Sequence, residues 1–99
     1  MSNVDLDTFL IYDVEDDRIR TRVAEDCKDA GLERVQFSVF RGPLDRTHRK
    51  ELMAKLSKRL GDRRGRFMML SLCERDAREV REHVVDYDHP RGTGRDEAA

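Results

Sequence analysis

Along the first half of the chain the apolar pattern changes rhythm twice. Residues 8–14, Thr-Phe-Leu-Ile-Tyr-Asp-Val, are almost continuously apolar and predict a central strand. Ile19, Val23, Cys27 and Ala30 then recur at helical spacing, one apolar stripe of a helix that runs to about Ala30. Asp16 or Asp17 is its candidate N-cap, and Gly31 is a natural stop. Residues 33–41 alternate: Val35, Phe37 and Val39 share one face, while Gln36, Ser38 and Phe40 share the other. Gly42-Pro43 breaks that pattern. A second helix fits residues 45–60, with Leu52, Met53, Leu56 and Leu60 inward and Lys50, Lys55, Lys58 and Arg59 largely outside the stripe. Gly61 ends it, and a basic loop follows to Arg66. Residues 67–73, Phe-Met-Met-Leu-Ser-Leu-Cys, predict another buried strand, with Met53, Met68 and Met69 as core. A short helical turn near 75–80 leads to a last strand over 82–87.

This order is β-α-β-(β)-α-β. Both apolar stripes are single-sided, so both helices are expected on one face of one sheet. The fold class is α+β, a ferredoxin-like βαββαβ sandwich with a short extra C-terminal strand. It needs two strands between the helices, which residues 33–44 can supply only by bending or splitting sharply. The expected domain spans residues 1–88, and residues 89–99 read as a disordered tail. A sheet with helices on one face leaves the other face bare. With 99 residues, 37% apolar and 41% charged, a lone subunit has a thin core. Both points predict a homodimer.

Composition narrows the setting. No run of about 18 apolar residues occurs, so no membrane span is expected. The first residues lack the basic and apolar blocks of a secretory signal. Cys27 and Cys73 are therefore read as reduced thiols in a cytoplasmic protein, and neither has zinc-ligand spacing. A net charge of −1 argues against a uniformly basic nucleic-acid binder. The charge is nevertheless segregated. Residues 1–33 carry ten acids and four bases, whereas residues 41–66 carry ten Lys or Arg against three acids. That segment is either a local footprint for nucleic acid, centred on Lys55, Lys58, Arg63 and Arg64, or a solvated helix face and loop.

The candidate chemistry centres on Asp13, a carboxylate at the end of a strand built for burial. Period-two alternation sets it with Phe9 and Ile11, opposite Leu10, Tyr12 and Val14. It either accepts backbone N–H groups in the following acidic turn or serves as a ligand. One carboxylate is too little for a Mg²⁺ site, and a two-fold axis nearby would supply the second. Arg20 and Arg22 are two apart and cannot share a helix face. These two and Arg34 are surface ion pairs or phosphate contacts. Phe40, beside Ser38, reads first as dimer core and second as an aromatic surface for a base. Tyr12 reads as core. His48, His83 and His89 are dispersed without ligand or triad spacing, and no Gly-rich phosphate loop occurs.

Residues 8–44 carry a resemblance in order and spacing: Tyr-Asp-Val at 12–14, the Asp16 to Ala24 run with Arg18, Arg20 and Arg22, and Arg-Val-Gln-Phe-Ser-Val-Phe at 34–40. They resemble the small CRISPR-associated endoribonuclease family, the smaller of the two core spacer-acquisition proteins. The resemblance implies a ferredoxin-like homodimer with Mg²⁺ or Mn²⁺ held between Asp13 and its two-fold mate. It implies that Tyr12, Arg20, Arg22, Arg34 and Phe40 affect nuclease activity, that the second strand bends into its neighbour, and that the last strand completes the partner's sheet. Two functions follow. One is a metal-dependent endonuclease acting on RNA or DNA. The other is a non-catalytic scaffold that binds double-stranded DNA and docks the CRISPR integrase.

Overall fold

The computed structural model describes residues 4–85. The chain order is β1 (Leu6–Val14), α1 (Asp17–Asp29), β2 (Glu33–Gln36), β3 (Val39–Leu44), α2 (Arg46–Leu60), β4 (Gly65–Leu72) and a short α3 (Glu74–Ala77). The sheet has the order β2-β3-β1-β4, with every neighbouring pair antiparallel. This is the expected βαββαβ arrangement, with β1 at its centre.

Alternation along β1 decides what lies inside. Thr8, Leu10, Tyr12 and Val14 are buried, whereas Phe9 and Ile11 are half-buried and Asp13 is exposed. The inward row meets Val23, Ala24 and Cys27 of α1, Leu52 and Leu56 of α2, and Phe40 and Leu44 of β3. Burial pushes the Cys27 thiol up to about 12, with Asp26 adding to the effect. Asp26 is also buried, and its two carboxylate oxygens accept from Arg59 at 2.8 and 3.0 Å. A buried carboxylate requires such a partner, and this pair pins α1 to α2.

Residues 33–44 split into a hairpin. β2 and β3 meet across a turn at Phe37 and Ser38, with a register shift between Arg34 and Gln36. The 33–41 alternation is therefore not one strand. Gly42-Pro43 does not end the element, as its composition suggested. β3 continues to Leu44, opposing Thr8 with Gly42 and Asp7 with Pro43. Pro43 is tolerated because β2 pairs only with residues 39–41, which leaves that edge of Pro43 without a ladder. Gly42 sits at a close approach: a Cβ there would lie 2.9 Å from the end of the Leu32 side chain and 3.1 Å from the Gly31 carbonyl oxygen, so these neighbours would have to shift.

β4 is an edge strand, not a doubly buried one. Phe67 and Met69 pack on the core, but Met68 and Leu70 are 53% and 44% exposed. Met68 is thus not core, because the two long helices pack on the other face of the sheet. The helical turn expected over 75–80 forms earlier, as α3. Of the strand expected over 82–87, residues 82–85 join no strand, and Val84 and Val85 are exposed. No described strand offers this segment a ladder. Residues 86–87 and 89–99 lie outside the described residues. No helix among those described is long and apolar enough to cross a membrane.

Asp45 caps α2. Its carboxylate accepts from the His48 backbone N–H at 2.8 Å and lies 2.7 Å from His48 Nδ1. The hydrogen bond to Asp45 raises the His48 pKa above its usual value, and the His48 backbone N–H chiefly lowers that of Asp45. The imidazole's contribution is complete below the unfolded histidine value of about 6.5 and disappears as pH rises through the folded value. The carboxylate's contribution is complete above its unfolded value of about 3.9 and disappears as pH falls through the lowered folded one. Proton NMR titration should place the His48 midpoint above that of a free imidazole, and Asp45→Asn should return it to the ordinary range.

Candidate functional site

Asp13 stands on the uncovered side of the sheet at the end of β1. The helix-starting role that competed for it is taken three residues later. Asp16 accepts from the backbone N–H groups of Arg18 at 2.9 Å and Ile19 at 3.0 Å. These bonds, Ile19 first, hold its carboxyl below the usual range. Asp17 is engaged by Arg20. Among the described residues no hydrogen bond or ion pair engages the Asp13 carboxylate. Across the ladder it faces Arg66 of β4, whose side chain shares that face of the sheet.

Tyr12 points the other way, into the core. Its ring stacks on Phe40 with centroids 6.3 Å apart. Burial raises the phenol's pKa, and the nearby Arg34 and Arg20 guanidinium groups partly offset this. Arg34 lies 5.1 Å from the Phe40 ring centroid and 5.8 Å from that of Phe37. Arg20 donates to the carbonyls of Val14 at 3.0 Å and Glu15 at 3.2 Å, so it clamps the chain just after Asp13. Arg22 is exposed. The structure thus brings Tyr12, Phe40, Arg34 and Arg20 together on the helix side and leaves Asp13 on the opposite side. Phe40 is fully buried within the single chain. It is neither dimer core nor an accessible aromatic surface, because β3 turns it under the helices once the hairpin forms.

The basic candidates fall into two groups. Lys55 and Lys58 are exposed one turn apart on α2. Lys55 borders a hollow of about 170 Å³ with Asp26 and Asp29, at the C-terminal half of α1. Arg63 and Arg64 follow α2 and line a hollow of about 340 Å³ with Glu15 and Asp16, at the other end of α1. Arg63 is paired to Asp16 at 2.7 Å. Within the basic segment, Arg41 and Arg59 are also committed, to Asp7 and Asp26. Part of the segment's excess charge is therefore neutralised by the acidic first third of the chain.

Three residues of the site region were not singled out by the sequence. Arg66 is visible only through its register with Asp13. Phe37 emerges as the exposed aromatic of the hairpin, the role first considered for Phe40. Asp26 lay outside the apolar stripe, and only the approach of Arg59 explains its burial.

The fold and the strand-end acid define a small ferredoxin-like α+β domain with a free carboxylate on the open face of its central strand. The family described as CRISPR associated protein Cas2 matches residues 8–80, and the chain belongs to that family. A CRISPR-associated endoribonuclease Cas2 of Desulforudis audaxviator is 37% identical over 71 residues, which is 72% of this chain and 67% of that protein. A second such protein, from Chloroflexus aurantiacus, is 47% identical over 51 residues, 52% of this chain and 60% of its own length. A crystal structure of a hypothetical protein from Thermus thermophilus superposes with a TM-score of 0.67 at 23% identity, covering 82% of this chain and 90% of that one. That likeness speaks to the fold.

Because Phe40 is buried, its substitution acts first on stability. Phe40→Ala should lower the unfolding free energy by about 3–5 kcal/mol, and Phe40→Leu by much less, read by urea denaturation.

Proposed function

We propose that this chain works in CRISPR adaptation as a homodimeric, metal-dependent endonuclease, a phosphodiesterase on RNA or DNA that partners the CRISPR integrase in the cytoplasm. The single observation that supports it is the state of Asp13: exposed, freed from helix capping by Asp16, and bordering the open sheet face. Phe9, Ile11, Met68 and Leu70 give that face an apolar surface suited to a second copy. The relatives named endoribonuclease support the reaction class.

One chain does not fit a resident ion, for among the described residues no three His, Cys, Asp or Glu side chains group together. A carboxylate oxygen nonetheless suits a hard cation, and the Asp13 of a second copy would complete the donor pair for Mg²⁺ or Mn²⁺. Such an ion supplies Lewis acidity and a bound water that ionises near neutral pH. The chain's own groups do the rest. Asp13 anchors the site, and Arg20 holds the backbone behind it. Arg66 lies opposite Asp13, where a guanidinium meets phosphate oxygens and steadies their charge. Tyr12 and Phe40 support Arg34 from the core. No histidine is required as a base.

Asp13→Asn should lower cleavage about a hundredfold or more while dimerisation and nucleic-acid binding persist. Added EDTA should have the same effect on the unaltered protein. Undiminished cleavage by Asp13→Asn refutes the nuclease reading. A non-catalytic scaffold is the second reading, supported by the exposed Lys55, Lys58 and Arg64. Neutralising Lys55, Lys58, Arg63 and Arg64 together should weaken duplex binding and flatten its log–log salt slope by roughly 3 to 4, leaving the Asp13 chemistry in place.

A further inference from the structure

Among the described residues the large exposed apolar side chains are Val4, Phe37, Met68, Leu70, Val84 and Val85, and Phe37 is the one aromatic. Met68 and Leu70 belong to the open sheet face. Phe37 belongs instead to the turn between β2 and β3, and it is 56% exposed. That turn is tied down beside Asp13. The Ser38 carbonyl accepts from the Tyr12 backbone N–H at 3.1 Å, one residue before the acid.

Arg34 fixes the surroundings of the ring. Its guanidinium lies 5.8 Å from the Phe37 centroid and 5.1 Å from Phe40, which is itself immobilised on Tyr12. No carboxylate among the described residues forms a salt bridge with Arg34. The result is an exposed aromatic ring with a cation over one of its faces that no carboxylate pairs, leaving the other face for a ligand. A nucleotide has the matching pair, a flat base and an anionic phosphate. A duplex hides its base faces in the stack, whereas an unpaired strand offers them.

We infer that Phe37, flanked by Arg34, is a stacking platform for an unpaired base of the strand whose phosphate reaches the Asp13 end of β1. The inference rests on the nuclease reading above and adds a base-contacting residue to it.

The chain has no Trp, so a 2-aminopurine reporter in short single-stranded RNA and DNA reads stacking without interference. The full chain in EDTA should quench the reporter. Phe37→Ala should abolish the quench and weaken single-strand binding about tenfold, with duplex binding unchanged. Phe37→Trp should keep both properties. Phe37→Leu, apolar but without a π face, should behave like Phe37→Ala. Wild-type binding by Phe37→Leu overturns the assignment. So does a shift of Phe37→Ala from dimer to monomer in sedimentation velocity, which would make the ring a contact between copies. Asp13→Asn separates the two ideas. The platform holds if that variant loses cleavage but keeps the quench. If wild type cleaves in an Asp13-dependent way while every Phe37 variant matches it, the platform alone fails. If Asp13 proves irrelevant to cleavage while the quench tracks Phe37, the nuclease reading fails and the platform stands.

Discussion

β1 is hydrogen-bonded along both edges, to β3 over residues 6–11 and to β4 over residues 7–14. A strand held on both sides cannot slip by one residue without turning its whole apolar row outward. Burial of Thr8, Leu10, Tyr12 and Val14 therefore dictates where Asp13 points. The acid lies on the open face because its two neighbours are needed inside. The same lock sets Arg66 opposite Asp13 and Phe40 against Tyr12.

Four acids follow one another closely at this junction, and the structure gives them different tasks. Asp16 satisfies backbone donors at the start of α1 and also receives Arg63. Asp17 is held by Arg20, which at the same time grips the carbonyls of Val14 and Glu15. Glu15 contributes its backbone. Among the described residues Asp13 and Glu15 are left with unengaged carboxylates, and of the two only Asp13 belongs to β1 and projects from the open face of the sheet. Helix capping and the chemistry proposed for Asp13 thus fall on different residues, so that substituting Asp13 need not disturb the helix start.

The open sheet face links the economy of a small subunit to the chemistry proposed for it. Both long helices lie on one side, so the apolar residues on the other remain half-exposed. Covering that face with a second copy would bury them and approach the acid that borders them. Association and site assembly would then be one event, with the hairpin turn carrying Phe37 and Arg34 at the rim.

Much of this was legible along the chain, because periodicity reports which face of an element is buried. The β1 and β4 strands, both helices and the split faces of β1 follow from apolar spacing, and so does the side on which Asp13 falls. The hairpin was only half legible, since a turn at Phe37 and Ser38 contains neither glycine nor proline to mark it. The alternation across it hid the change of strand and made Phe40 look like an outward residue. The exposure of Met68 depended on β4 being an edge whose outer face neither long helix covers, and no local pattern encodes that. The pairing of Asp26 with Arg59, the alignment of Arg66 with Asp13 and the choice of Asp16 as the cap required the tertiary structure. The first two depend on which distant residue is brought alongside, to which local spacing is blind, whereas the cap is a local contact for which Asp16 and Asp17 were equally placed candidates along the chain.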